Sequence, residues 1–208
     1  SSELINIDIS LEECKKYYFG DITFIGNTKY ETVLLTSILR INRGDIYDSQ
    51  LLNERVSFDQ NGNDVASVYL NNGYLFSQVI PIEKSVSNDT IDIEIRIQEG
   101  RQATIRKVSI SGNERTNDHV IYREVRTKPG DLFSKAMIQR TIRELSQLGY
   151  FDQTQIGVNP VPDPQTGTVD LEYTVAEKST SQLELQGGWG AGRVVGTLGL
   201  NFNNFSAR

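Results

Sequence analysis

The chain has 208 residues, a net charge of −6, one cysteine and one histidine. Its acidity excludes a nucleic-acid binder, which needs a basic face, and no run of about 18 apolar residues offers a transmembrane helix. A single cysteine excludes an internal disulfide.

From the N-terminus, Ile5, Ile7, Ile9 and Leu11 alternate with Asn6, Asp8, Ser10 and Glu12. That is the period of a strand with one dry and one wet face. It predicts the last strand of a repeat whose body is absent, so residues 1–14 are assigned to a preceding unit and the chain to something longer. No signal-peptide pattern stands at the start. Cys14–Tyr17 is a short joint, and Cys14 is a tolerated linker residue rather than a reactive thiol. Tyr18–Ile25 is the first strand of a complete unit, 15–100. Thr28-Lys29-Tyr30-Glu31 fits a capping box at the start of a helix, and Val33, Leu34, Ile38 and Leu39 give that helix an apolar stripe. Asp48 or Ser49 caps a second helix. An interruption is expected around Asn61-Gly62, then a restart capped by Asp64 with Val65, Val68 and Tyr69 inward. Gly73 ends it, since a helix C-terminus favours a residue free to take positive φ. Leu75–Glu83 follows as a strand. Pro81 inside it cannot donate to a ladder, which predicts an edge. Past the turn at Ser87-Asn88-Asp89, Ile91, Ile93, Ile95 and Ile97 alternate with Asp92, Glu94 and Arg96 and predict a central strand.

After the joint Glu99–Gln102 the same order returns in 101–178. A strand Thr104–Ile110 leads to a Ser111-Gly112-Asn113 turn, a helix Thr116–Arg126 and a Pro129-Gly130-Asp131 break. A second helix Ser134–Leu148 stops at Gly149-Tyr150. Two strands follow, Gln153–Val158, which runs into Pro160, Pro162 and Pro164, and Thr168–Ala176, with Val169, Leu171, Tyr173 and Val175 on its dry face. The order is β-α-α-β-β, with two helices as the cover for the dry face. Gly26-Asn27 recurs as Gly112-Asn113, 86 positions later, and Gly44-Asp45 recurs as Gly130-Asp131 at the same distance. Gly44 to Gly73 spans 29 positions and Gly130 to Gly149 spans 19, so the first copy carries about ten extra residues. The fold class is therefore α+β, in two tandem units. Each is a three-stranded mixed sheet ordered first–third–second, with two helices on one face.

Beyond residue 178 the character changes. Gln182–Trp189 and Val194–Asn203 alternate as strands of nine or ten residues about a Gly190-Ala191-Gly192 turn, the length that crosses a bilayer at a tilt. A soluble glycine-rich hairpin fits the pattern equally well. Two barrel strands cannot close, so Gln182–Asn203 is expected to lack a fold of its own or to borrow pairing from a neighbouring chain. The glycine-rich run carries neither a phosphate loop nor a complete dinucleotide fingerprint. His119 has no second histidine or cysteine in motif spacing to complete a metal site. The many carboxylates lie on wet strand faces, so no enzyme and no cofactor are expected.

Ile105–Asn113, Val120–Arg126, Pro129-Gly130-Asp131, Leu145–Phe151 and Val169–Lys178 together resemble a POTRA domain. More closely, they resemble the last POTRA domain of a BamA-type outer-membrane β-barrel assembly factor, and the first copy resembles the penultimate one. Residues 179–208, ending in Asn203-Asn204-Phe205, are similar to the first two strands of that family's barrel. The resemblance implies the periplasmic face of the bacterial outer membrane and a barrel, missing here, that inserts other barrel proteins. It implies unfolded outer-membrane β-barrel proteins and accessory lipoproteins as partners, and no cofactor. A two-partner secretion porin, or a purely structural periplasmic scaffold, would share the domains. Exposed edge strands can take up an extended segment by strand addition. The candidate docking residues are Phe76, Ser77, Gln78, Val79 and Ile80 in the first unit, and Gln153, Thr154, Gln155, Ile156 and Val158 in the second.

Overall fold

The computed structural model describes residues 15–178 and the backbone of 181–190 and 193–202. The strand expected over 1–13, Cys14 and Asn203–Phe205 lie outside the described residues. By internal contact the chain divides into two compact units. One holds the chain through Ala66 and Gln78–Glu99. The other holds Ser67–Ser77 and the chain from Gly100 onward.

The first unit is built from β1 (Tyr18–Ile25), α1 (Thr32–Leu39), α2 (Ser49–Asn53), β2 (Gln78–Ser87) and β3 (Thr90–Gln98). A π-helical turn, Glu54–Phe58, continues α2, and α3 (Val65–Asn71) begins after a loop. The sheet order is β1-β3-β2, with β3 parallel to β1 and antiparallel to β2. The alternation of β3 forces this order. Ile91, Ile93, Ile95 and Ile97 are all buried, and a strand so dry on one face belongs between two others. Phe19, Leu35, Leu39, Leu52, Val56 and Val65 are buried in the same unit. The expected second-helix interruption is present. Gly62 takes φ +74, and the Asp59 carboxylate accepts the Asn61 N–H at 2.6 Å.

The second unit contains β4 (Thr104–Ser111), α4 (Asp118–Glu124), α5 (Lys135–Gln147), β5 (Gly157–Asp163) and β6 (Thr168–Thr174), in sheet order β4-β6-β5. Ser134 caps α5 by accepting the Met137 N–H. Ile138, Thr141 and Leu145 form the buried stripe of α5, and Ile138 and Leu145 meet Val169, Leu171, Tyr173 and Val175 of the β6 segment in one core. Tyr173 is fully buried, and its hydroxyl shares a 2.9 Å hydrogen bond with Thr127. Burial raises its pKa, opposed by its hydroxyl partners Thr127 and Thr141. Leu70, Leu75 and Phe76 pack against this core.

Equivalent positions use the same devices. Gly26 and Gly112 both take φ +90, and a Cβ would stand 2.1 Å from the Ile97 carbonyl oxygen in one and 1.8 Å from that of Val175 in the other. Glu99 and Glu177 each follow a central strand and accept backbone N–H groups from the turn after the first strand. Glu99 takes that of Lys29 at 2.8 Å, and also the Thr28 hydroxyl. Glu177 takes those of Arg115 and Thr116 at 3.0 and 2.6 Å. This corrects the expected capping box. Thr28 is bonded to Glu99 instead, α1 starts at Thr32, and Glu31 makes no side-chain cap.

β7 (Ser181–Gly190) and β8 (Arg193–Phe202) pair antiparallel with each other, from Ser181↔Phe202 to Gly190↔Arg193. The expectation that this segment lacks a fold of its own or borrows pairing from a neighbouring chain is corrected as to pairing, since a hairpin of two ten-residue strands satisfies one row of backbone groups on each strand without a neighbour.

Candidate functional site

A proline in an antiparallel ladder fixes which backbone groups face outward. Pro81 pairs with Ile95 in an otherwise continuous ladder. It has no N–H to give, so its nitrogen and carbonyl face away from β3. By alternation Val79 and Glu83 also face outward, and Gln78, Ile80 and Ile82 bond β3. The hydroxyl of Ser57, from the π-helical turn, donates to the Val79 carbonyl at 3.3 Å, as an outward carbonyl permits. The register shifts between Glu83 and Ser85, and pairing resumes from Ser85↔Asp92 to Ser87↔Thr90; such a bulge twists an edge. Glu83 also accepts the Tyr47 hydroxyl. Burial, then the hydrogen bond and charge of Glu83, push the Tyr47 pKa up to about 12. On the other face of the sheet Ile80 is 49% exposed beside this edge.

In β5, Pro160 pairs with Leu171 and Pro162 with Val169. The same argument places Val158, Pro160 and Pro162 on the outer row, where two of three donors are missing. The outer row of β5 therefore keeps its carbonyls and little else.

The structure places four of the ten sequence-derived candidates on strands: Gln78, Val79 and Ile80 on β2 and Val158 on β5. Phe76 and Ser77 are corrected to the turn before β2, where the Ser77 N–H bonds the Tyr74 carbonyl and the Ser77 hydroxyl has no hydrogen-bond partner. Gln153, Thr154 and Gln155 are corrected to a 3-10 turn, with Ile156 between it and β5. The cause is local. The Asp152 carboxylate takes the Thr154 hydroxyl and N–H and the Gln155 side chain, and these bonds lower its pKa. Ser57 and Glu83 were missed, since their value comes from the register. Among the described residues no cluster of three or more His, Cys, Asp or Glu could hold a metal.

The POTRA family model, described as a surface antigen variable number repeat, matches residues 17–100 and 103–178. A putative outer membrane protein assembly factor of Treponema pallidum is 30% identical over 189 residues, covering 88% of this chain and 21% of that protein. The outer membrane protein assembly factor BamA of Neisseria meningitidis is 28% identical over 188 residues, covering 88% and 22%. The chain thus spans about a fifth of the length of these curated relatives. Among solved structures, Haemophilus influenzae BamA POTRA3-5 aligns with a TM-score of 0.64 at 21% identity, covering 77% of this chain and 61% of that one. Haemophilus ducreyi BamA lacking POTRA domains 1-3 also gives 0.64, at 20% identity, covering 83% and 32%. Both agree in fold. The chain belongs to the POTRA family, as a tandem pair of its domains related to those of BamA-type assembly factors.

Proposed function

We propose that this tandem is the periplasmic region of an outer-membrane protein assembly factor. In this reading it binds extended segments of unfolded β-barrel proteins by strand addition, and the hairpin β7–β8 is the start of the barrel. The observation that carries the reading is the outer row of β2. Val79 and Glu83 keep outward N–H groups at a sheet edge, and strand addition uses those groups directly. The relatives' role in outer-membrane assembly supplies the partner class. Backbone recognition suits many different clients, because side chains contribute little to the affinity.

Peptides of barrel-strand sequence titrated into the isotope-labelled chain test this by NMR. Shifts along β2, with Val79 and Glu83 the most affected, are the expected result. Gln78→Ala should leave the affinity unchanged, and Val79→Pro, which deletes an outward donor, should weaken it several-fold. Shifts confined to helix faces such as 118–124, with silent edges, would overturn the reading and favour helix-mediated docking of accessory lipoproteins.

A further inference from the structure

The first strands of the two units differ at one equivalent position. In the second unit Ile105 faces outward, since Gly130 donates to its carbonyl and its own N–H bonds Asp131. The register shifts between Ile105 and Lys107. Val175 N–H bonds the Ser111 carbonyl, so Ser111 and Ser109 face β6 while Val108 and Ile110 face outward. The Tyr122 hydroxyl, from α4, donates to that outward Val108 carbonyl at 3.3 Å. The first unit repeats the arrangement: Gly44 and Asp45 hold Phe19, the register shifts between Phe19 and Ile22, and Ile22 and Phe24 then face outward. Tyr122 corresponds to Thr36, 86 positions earlier. The Thr36 hydroxyl turns back on its own helix, to the Thr32 carbonyl at 2.9 Å. Along the face of α1 that carries Thr36 the first unit has a groove of about 550 Å³ lined by Thr32, Val33, Thr36, Ser37, Arg40 and Asn42.

We infer that the outer edge of β1, with the groove along α1, is a second strand-addition site. Its occupant is an extended segment of a partner chain with apolar residues at alternate positions and one carboxylate. The inference goes beyond docking at β2, because it concerns the opposite edge of the sheet. Ile22 and Phe24 carry no proline to remove a donor, and among the described residues nothing bonds their outward groups. One face of an added strand lies over the groove along α1, where Val33 is 78% exposed; this selects apolar residues on alternate positions. Arg40 ends the groove and makes no ion pair among the described residues, which selects the carboxylate.

The experiment uses the 208-residue chain and a capped peptide of about nine residues alternating valine and threonine with one terminal aspartate. Amide exchange is read by NMR separately on each edge. Protection of the Ile22 and Phe24 amides on binding is expected. Thr36→Tyr, which installs the cover that the second unit has, should weaken binding at this edge about tenfold while shifts on β2 persist. The reciprocal Tyr122→Thr should open Val108 and Ile110 to the same peptide. If Thr36→Tyr does not fold, Ile22→Pro deletes one outward donor without touching the ladder and should give the same loss. Unprotected Ile22 and Phe24 amides in the wild type, or Thr36→Tyr binding there as the wild type does, would overturn the inference. So would concentration-dependent self-association through β1, which assigns the edge to a second copy. Silence on β2 with protection on β1 would instead remove only the β2 reading.

Discussion

Gly112 and Gly130 take nearly the same positive φ for different reasons. At Gly130 (φ +95) a Cβ would meet nothing within 4 Å, whereas at Gly112 it would stand 1.8 Å from the Val175 carbonyl oxygen. Gly130→Ala therefore meets backbone strain alone, about 1–2 kcal/mol. Gly112→Ala adds a collision with backbone at the end of a central strand and should cost more than about 3 kcal/mol. Thermal or urea unfolding of the two variants checks the ratio, and equal losses would contradict the close approach. Glu177 makes a second residue-scale prediction. It accepts two backbone N–H groups, so Glu177→Ala should lose about 1–2 kcal/mol, and Glu177→Gln, which keeps an acceptor, less. Denaturant midpoints for both variants decide. The glycines were legible in the sequence because they recur in register. Glu99 and Glu177 were not. Each bonds groups more than sixty positions away, and a local motif, Thr28 to Glu31, offered a plausible but wrong partner.

At the scale of elements, the central strands were legible and the edge strands only in part. Alternation in Ile91–Ile97 and Val169–Val175 is a burial pattern and survives into the structure, except that Glu94, on the face read as wet, is also buried. The prolines were read correctly as edge markers, and Pro81 as lying inside its strand, but Pro160 and Pro162 were placed beyond the end of theirs. An outward-facing proline costs a ladder nothing, so β5 runs through Pro160 and Pro162, and its start moves from Gln153 to Gly157. The same parity gives a paired prediction on β2. Ile80→Pro removes an inward donor from the pair Ile80↔Arg96 and should destabilise the first unit by about 1–3 kcal/mol. Val79→Pro leaves the ladder whole and should lose clearly less, although Val79 is buried. Unfolding curves separate the two, and the reverse order would show the outward assignment of Val79 and Pro81 to be wrong. The π-helical turn had no sequence signature beyond the length excess of the first copy, because one added residue in a helix changes no residue type.

On the scale of the whole molecule, the 86-position register exposed the tandem, since two copies of one order are harder to produce by chance than any single strand or helix pattern. Composition said little, and the tail stayed ambiguous, because alternation suits a soluble hairpin and a barrel strand alike. The hairpin β7–β8 pairs each strand on one side only. An isolated two-stranded ribbon is marginal in water, and its outer rows of N–H and C=O groups are templates for pairing with another chain. The two three-stranded units own their cores, and the second core is formed by residues up to Val175. Ending the chain after Lys178 should therefore leave the thermal midpoint within about 2–4 °C of the full chain's, while reducing self-association. Calorimetry and sedimentation velocity on the two lengths measure both effects. A larger fall in the midpoint would mean that residues beyond 178 complete the core of the second unit. Unchanged self-association would place its cause in the edges of β1, β2 or β5 rather than in the hairpin.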